Sequence, residues 1–270
     1  PTPSPTPTQV PPTATPPPTP TSVPTYTIIK SQILDTDTTW SLADSPYRVE
    51  GNIKVNEGVT LTVEAGVEVW FTSRVWLEVY GTLRLIGTEI QPIVFEGDDW
   101  RGIRIKDSSP DYVGGEGSVI EHAVLLGTPC DRYNYQLIQI ESSSPRIANN
   151  KLRCGEDGMG IALKVTDWDG TLTIEDNDMT QQFVLIEGNT KGDSLTFSGN
   201  SFIRLELYIS SSSKVAVVVL NVSSNDATWS TPIGNWSGIG IRCRSVCTGD
   251  VYDNTIVIGT NSGRTRGIKI

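Results

Sequence analysis

One short pattern recurs five times along the second half of the chain. In each copy an apolar residue stands three positions before an asparagine, and another stands two positions after it. The asparagines are separated by 27, 23, 25 and 29 residues. A repeat of about 20 to 30 residues in a chain of short strands predicts a solenoid in which each repeat forms one coil. The repeated residues are Asn150, Asn177, Asn200, Asn225 and Asn254.

Much of the remaining sequence consists of short stretches in which apolar and polar residues alternate. Examples are Thr60–Val63, Val67–Phe71 and Thr82–Leu85, with glycines such as Gly66 and Gly81 between them. A period of two together with many β-branched residues is typical of β-strands. No segment keeps the spacing of an amphipathic helix for more than a turn or two. The sequence therefore predicts an all-β fold with very little helix.

The recurring asparagine also predicts how successive coils contact each other. Coils that stack with the spacing of neighbouring strands, about 4.8 Å, bring equivalent side chains directly above one another. Each amide can then donate to the carbonyl oxygen of the next, so we expect a ladder of the five asparagines. We also expect each asparagine to form the bend between two strands, because asparagine tolerates the left-handed backbone conformation. Ala123 stands at the corresponding position upstream, 27 residues before Asn150.

An earlier segment resembles a known fold family. Asn56–Val69, followed by Gly81–Leu83 and Pro92–Phe95, is similar to the opening coils of right-handed parallel β-helix proteins that bacteria secrete or display. The asparagine repeats resemble the later coils of such proteins, and the resemblance covers about residues 40–270. It implies a single right-handed parallel β-helix over residues 26–270, but no particular activity, because lyases, hydrolases, adhesins and structural proteins share this fold. The residues expected to point into its core are Val63, Val69, Leu83, Leu85, Ile161, Leu163, Val165, Val217, Val219, Ile239 and Ile241.

The first 25 residues differ from the rest in composition. They contain 11 of the 17 prolines, eight threonines, two serines and no charged side chain. Proline fixes φ and removes amide donors, so we expect residues 1–25 to form an extended, polyproline-like arm. The arm is interpreted either as a stiff linker or as a stalk that carries O-linked sugars. The candidate O-glycosylation sites are Thr2, Thr6, Thr8, Thr13, Thr15, Thr19 and Thr21, and the candidate N-glycosylation sites are Asn221 and Asn235.

The four cysteines bear on the compartment. Cys130 and Cys154 are 24 residues apart, close to one repeat, whereas Cys243 and Cys247 are four apart. Neither spacing is that of a zinc or redox C-x-x-C site. Of the three pairings that four cysteines allow, we predict disulfides Cys130–Cys154 and Cys243–Cys247. These disulfides predict an oxidising environment, outside the cell or on its surface.

Charge and hydropathy exclude two classes of partner. The formal net charge is −10, so the phosphates of a nucleic acid would be repelled. The longest apolar run, Val215–Leu220, has six residues, whereas a membrane-spanning helix needs about 20. We expect neither nucleic-acid binding nor a membrane span.

No set of residues predicts catalysis. Pectate-lyase-like β-helices hold calcium with carboxylates from neighbouring strands, and oxygen ligands of this kind are present here. A solvated acidic surface explains them better in a chain of this charge. These weak metal candidates are Asp167, Asp169, Asp176 and Asp178, with Glu175 beside them.

Polygalacturonase-like enzymes combine four motifs, and this sequence has only two of them, the Asp98-Asp99 pair and Arg104-Ile105-Lys106. The Asn-Thr-Asp and Gly-His-Gly motifs are missing from the sequence, and the single histidine, His122, is expected at the surface. We therefore predict a protein that is not an enzyme, without catalytic residues, bound metal or cofactor.

The functional hypotheses start from the ends of the predicted solenoid, where a coil has no neighbour. The sequence ends on the alternating segment Gly267–Ile270, so either the natural chain continues beyond it or another subunit covers that edge. The leading hypothesis is a secreted structural protein that binds copies of itself head to tail, forms an extracellular filament or surface layer, and carries covalent glycans. The alternatives are a surface adhesin or carbohydrate-binding protein and a calcium-dependent polysaccharide lyase. Tryptophans near turns that could engage glycans are Trp40, Trp100, Trp229 and Trp236.

Overall fold

A computed structural model of the chain describes residues 25–128, 130, 135–155, 160–168, 170–180, 182–188, 194–202, 204–209, 218–223, 226–228, 238–243, 247–252 and 255–257. Beyond Leu205 it describes only the backbone of the strands. The predictions for residues 1–24 and 267–270, and for Asp169, Asn225, Trp229, Asn235, Trp236 and Asn254, lie outside the described residues.

The described residues fold into short strands, numbered β1 to β27 in chain order. The first fourteen are β1 Thr27–Ile29, β2 Gln32–Leu34, β3 Thr38–Trp40, β4 Tyr47–Val49, β5 Ile53–Val55, β6 Thr60–Val63, β7 Glu68–Phe71, β8 Leu77–Val79, β9 Thr82–Ile86, β10 Ile93–Asp98, β11 Ile103–Ile105, β12 Val119–Glu121, β13 Ala123–Thr128 and β14 Ile138–Glu141. The others are β15 Arg146–Ala148, β16 Lys151–Cys154, β17 Ile161–Thr166, β18 Thr171–Glu175, β19 Phe183–Gly188, β20 Ser194–Ser198, β21 Ser201–Phe202, β22 Arg204–Ile209, β23 Val218–Ser223, β24 Asp226–Thr228, β25 Gly238–Cys243, β26 Cys247–Tyr252 and β27 Thr255–Val257.

The strands form three long sheets that the chain visits in turn. Sheet A contains β1, β4, β7, β10, β13 and β16; sheet B contains β2, β5, β8, β11, β14, β17, β19, β22 and β25; sheet C contains β3, β6, β9, β12, β15, β18, β20, β23 and β26. A fourth, short sheet of β21, β24 and β27 continues sheet A through single bridges from Lys151 to Asp178 and from Asp178 to Ser201. The pairs between these strands are parallel, so this connectivity is a parallel β-solenoid.

The prediction of an all-β solenoid is confirmed. The helical content of the described residues is one 3₁₀ turn, Leu42–Asp44. In many of the described strands alternate residues point inwards: in β6, Leu61 and Val63 are buried, whereas Thr60 and Thr62 face outwards. Seven of the residues predicted to be in the core are buried, namely Val63, Val69, Leu83, Leu85, Ile161, Leu163 and Val165.

The other core predictions concern the C-terminal strands. Val217, and the side chains of Val219, Ile239 and Ile241, lie outside the described part of the structure. The backbone register places Val219 opposite Ser194 and Leu220 opposite the buried Leu195.

Aromatic rings fill the interior of the first coils. Trp40 stacks on Tyr47 with ring centroids 5.7 Å apart, and Phe71 stacks on Trp100 at 4.5 Å. Phe95 contacts both groups, at 6.2 Å from Trp40 and 5.2 Å from Phe71. Offset or edge-on contacts of this kind stabilise a core beyond the area they bury. Trp40 and Trp100 are therefore core residues, and the expectation that they could engage glycans at the surface is wrong.

Three of the five repeated asparagines are described, and they lie in one file between sheets C and A. The Nδ2 atom of Asn150 donates to Oδ1 of Asn177 at 3.0 Å, and Nδ2 of Asn177 donates to Oδ1 of Asn200 at 2.9 Å. Each Oδ1 also accepts the backbone N–H of the preceding ladder residue, at 3.1 Å and 3.0 Å. Ala123, at the upstream position, donates its N–H to Oδ1 of Asn150 at 2.9 Å. The three side chains are buried, so these hydrogen bonds join successive coils away from water.

The bend at this corner is not formed by the ladder asparagines, contrary to the expectation above. The residue that precedes each ladder position has the positive φ: His122 (49°), Asn149 (56°), Asp176 (54°) and Gly199 (65°). A left-handed residue turns the chain, and the next residue then directs its side chain inwards. At Gly199 a Cβ atom would lie 2.0 Å from Oδ1 of Asp176, so a larger residue there would displace the Asp176 carboxylate.

A disulfide joins Cys130 to Cys154, on neighbouring coils of sheet A. The second predicted pair, Cys243 and Cys247, falls on β25 and β26, whose side chains lie outside the described part of the structure. Of the candidate N-glycosylation sites, Asn221 lies on β23 in register with Thr196.

Candidate functional site

The first coil presents a strand edge on each of the three sheets. Among the described strands, β1, β2 and β3 each have a partner on one side only, β4, β5 and β6 respectively. Natural proteins protect such edges with charged residues, prolines or bulges, because an unpaired edge is a template for another strand. The three edge strands read Thr-Ile-Ile, Gln-Ile-Leu and Thr-Thr-Trp, so they contain neither a charge nor a proline.

The backbone groups that face the open side can be identified from the bonds on the other side. Thr27 donates to Pro46 and Ile29 accepts from Glu50, and in the same way Gln32 donates to Asn52 and Leu34 accepts from Asn56. Successive residues of a parallel strand alternate between its two neighbours, so the N–H and C=O of the central residue point to the open side. These central residues are Ile28, Ile33 and Thr39, and all three side chains are exposed.

The apolar interior behind this edge is closed. Ile29, Leu34 and Trp40 are buried, and Tyr47 is held against Trp40 by its hydroxyl, which accepts the N–H of Ser41 at 2.8 Å. The first coil therefore offers backbone groups and outward side chains to a partner, and not an exposed core.

Exposed apolar side chains are concentrated near this end of the solenoid. In the described part of the chain, the large hydrophobic side chains that are exposed are Ile28, Ile33, Leu42, Ile86, Ile90 and Val113. All except Val113 belong to the coils that precede β10. Ile28 and Ile33 lie on the open edge strands and so belong to the candidate interaction surface, whereas single exposed residues away from that edge are normal.

Ion pairs join coils along the outside of sheet C. The guanidinium of Arg146 lies between two carboxylates, 2.9 Å from Oε1 of Glu121 and 2.6 Å from Oε1 of Glu175. Burial by itself lowers the pKa of Arg146, but the two carboxylates raise it more, so its pKa lies above the ordinary value. This arrangement uses all three charges to hold three coils together, and we assign it a structural role.

A second group of charges, on the outside of sheet B, is not balanced in this way. Cζ of Arg104 lies 3.2 Å from the ring centroid of Trp76, and Cζ of Arg101 lies 5.4 Å from the same centroid and 5.2 Å from that of Tyr135. Trp76, Arg101, Arg104 and Tyr135 are called the arginine–aromatic cluster below. The sequence prediction missed this cluster, because Tyr135 comes from the following coil and the four residues have no common spacing.

The weak metal candidates lie at two different corners of the solenoid. Asp167 follows β17 of sheet B, whereas Asp176 and Asp178 follow β18 of sheet C. Asp178 binds Arg153 and accepts the N–H of Thr180 at 3.1 Å. The described residues include no group of three or more His, Cys, Asp or Glu side chains that could hold a metal ion.

The motif fragments noted in the sequence do not form a common site. Asp99 has a positive φ at the end of β10, where its carboxylate accepts the hydroxyl of Ser73 at 2.9 Å and lies 3.7 Å from Arg74. Asp98 is exposed, and His122 is the left-handed residue at the corner before Ala123. Arg104 and Lys106 lie on the outside of sheet B with the buried Ile105 between them.

Searches with family models, among curated proteins and among solved structures gave no match to this chain. Across the residues that the structure describes, none of the helical segments has the length and hydrophobicity that crossing a membrane requires.

Proposed function

We propose that this protein is a structural protein that associates with copies of itself end to end, by stacking the first coil of one solenoid on the last coil of another. The observation that supports this is the first described coil: among the described strands, β1, β2 and β3 have no partner on one side, and these three strands contain no charged residue or proline. An interface of this heterologous type does not close, so it produces a filament.

A second copy is the occupant that fits this edge best. The open groups lie on three sides of the solenoid, at Ile28, Ile33 and Thr39. One extended peptide could pair with a single side and would leave the other two open. A coil with the same three-sided cross-section supplies three parallel strands at once, with the same spacing of about 4.8 Å that joins the coils within the chain.

The remaining parts of the proposal concern the environment of the protein. We propose a right-handed solenoid, because parallel strands joined by crossover connections are right-handed in about 98% of cases. We propose an extracellular or cell-surface location, which the disulfide between Cys130 and Cys154 supports, since such bonds persist in oxidising compartments. Glycans on the arm and at Asn221 and Asn235 also belong to this proposal, and the Pro/Thr composition of the arm supports them.

The proposal is tested by adding charge to the open edge. We expect Ile28→Lys combined with Ile33→Lys to abolish end-to-end association, because lysine on an edge strand is the usual protection against pairing. Both side chains face outwards and are about half exposed, at 49% and 58%, so the fold should tolerate the change. A matched control is Ile90→Lys with Val113→Lys, which adds the same charge at two exposed apolar positions off the edge.

Association is measured by sedimentation velocity over a range of concentrations, and rod lengths are measured by negative-stain electron microscopy. The wild type and the control should form rods that lengthen with concentration, and the edge variant should remain monomeric. Monodisperse monomers of the wild type at the highest concentration would overturn the proposal. A closed dimer that grows no further would show that two first coils pair with each other, and would exclude the filament.

A further inference from the structure

The outer face of sheet B differs in charge from the rest of this acidic protein. Its outward register file contains Lys54, Glu78, Arg104, Gln139 and Lys164 in consecutive coils. Lys106 and the arginine–aromatic cluster lie on the same face. Three aromatic rings on this face each have a cation against them: Trp76 and Tyr135 through the arginines, and Tyr80, whose centroid lies 4.5 Å from Nζ of Lys54.

Two guanidinium groups are held together at the centre of this face. Both Cζ atoms lie within 5.4 Å of the centroid of Trp76, so the two cations share one ring. The Nε atoms of Arg101 and Arg104 are buried without a hydrogen-bond partner. Stacking on the rings restricts the two guanidinium planes, and both arginine side chains are half-buried, with that of Arg104 25% exposed, so each has donors beyond the buried Nε atom to offer a ligand.

The nearby carboxylates neutralise this pair only in part. Oε1 of Glu78 forms an ion pair with Nη1 of Arg104 at 3.6 Å, whereas Arg101 has no ion pair among the described residues. Both oxygens of Glu141 are already engaged, by Lys106 at 2.8 Å and by Gln139 at 3.0 Å. Burial is the main cause that lowers the pKa of Arg104, and the neighbouring Arg101 adds to it, while Glu78 and Glu141 act in the opposite direction. The cluster is thus an arrangement of two cations that an added anion would stabilise.

We propose that the arginine–aromatic cluster binds an acidic saccharide through its carboxylate or sulfate groups. The planar fork of arginine matches the oxygens of a carboxylate or sulfate, with two parallel N–H···O bonds. The face is a row of strands and not a closed pocket, so it suits an extended polymer whose charges recur along the solenoid axis. Lys54 then supplies a further cation on this face, whereas Lys106 and Lys164 are already paired with Glu141 and Glu187.

The proposal is tested by removing the two guanidinium groups while keeping hydrogen-bonding side chains. Arg101→Gln with Arg104→Gln should weaken the binding of a polyuronate and of a sulfated oligosaccharide by about tenfold or more, measured by isothermal titration calorimetry. The charge-matched control is Arg48→Gln with Arg84→Gln, two arginines that lie on sheets A and C and not on sheet B. This control should bind within about twofold of the wild type.

Further measurements identify the ligand and exclude a folding defect. A neutral dextran should not bind, and inorganic sulfate should bind much more weakly than a sulfated oligosaccharide. Arg101→Lys with Arg104→Lys keeps the charges without the fork and should restore only part of the affinity, which a merely misfolded variant would not do. Three results would overturn the proposal: failure of the wild type to bind either acidic saccharide, equal loss of binding in the control, or equally tight binding of polyglutamate. Binding measured below the concentration at which rods form is independent of the proposed self-association.

Discussion

Two regions of the same solenoid hold their coils together by different means. Up to about Trp100, rings from successive coils pack against one another in the interior, and Phe95 contacts both Trp40 and Phe71. Between Asn150 and Asn200, identical amides hydrogen-bond from coil to coil at one buried corner. Ring packing is non-directional and accepts partners from different strands, whereas the amide ladder needs the same residue in the same position of each coil. The first region therefore needs no repeated residue, whereas the second needs an asparagine at the same position of each coil.

The sharpest way to break the first region is to remove its central ring. We expect Phe95→Ala to cost about 3–5 kcal/mol, because Phe95 is fully buried and its loss leaves a cavity between two ring pairs. Since each coil of a solenoid contacts only its neighbours, the loss should be local. Hydrogen exchange should therefore accelerate in β4, β7 and β10 and change little in β18 and β20.

The control for this change is Phe95→Leu, which fills most of the volume and should cost less than about 1.5 kcal/mol. If exchange accelerates equally in all strands after Phe95→Ala, the solenoid unfolds as one unit and the comparison of two regions fails.

The second region is tested at the middle of its ladder. Asn177→Ala leaves the N–H and Nδ2 of Asn150 without their acceptor at a buried position, so we expect a loss of about 2–3 kcal/mol. Hydrogen exchange should accelerate around β16 and β18. Asn56→Ala is the control, because that amide binds Asp35 at an exposed site and should cost less than about 1 kcal/mol. Equal effects of the two substitutions would mean that the ladder adds nothing beyond an ordinary surface contact.

A smaller effect is expected at the outer side of the ladder corner. Burial raises the pKa of Asp178, but Arg153 and Thr180 hydrogen-bond to its carboxylate, and its pKa lies below the ordinary value of 3.8 overall. A depressed pKa in the folded state stabilises the protein above the unfolded pKa, and this contribution disappears as the pH falls through the folded value. Because the side chain is nearly half exposed, we expect Asp178→Asn to cost less than about 1 kcal/mol at pH 7. Urea unfolding measures the free energy of unfolding of wild type and variant. The difference between them should be smaller below pH 3.8 than at pH 7, and an equal difference at both pH values would contradict a stabilising role of the Asp178 carboxylate.

The sequence predicted the fold because part of it is periodic. Asn150, Asn177 and Asn200 could be read as equivalent positions, and alternation in segments such as Thr60–Val63 predicted which side chains are buried. The left-handed residue at the same corner was assigned wrongly, since His122, Asn149, Asp176 and Gly199 share a backbone conformation but no residue type.

The packing of the aromatic rings and the arginine–aromatic cluster were harder to predict, for two physical reasons. Ring contacts such as Trp40 with Phe95 join different strands, and no repeated residue marks them, so the sequence left open whether Trp40 packs inside or engages a ligand. The arginine–aromatic cluster joins coils of unequal length: Ile103 pairs with Ile138 across the segment that includes the turn at Val113–Glu116. Such a connection changes the spacing, and residues that are neighbours in space then have no regular separation in the chain.

The ladder has a direction. Each Oδ1 accepts hydrogen bonds from the coil before it. The Nδ2 groups of Asn150 and Asn177 therefore gain this acceptor only after the next coil has been synthesised. A chain that emerges from a ribosome, or crosses an export channel with its amino end first, would therefore add coils in the order in which they arrive. Each finished layer serves as the template for the next, whereas growth in the reverse direction would begin from a layer whose Oδ1 atoms do not yet have their donors.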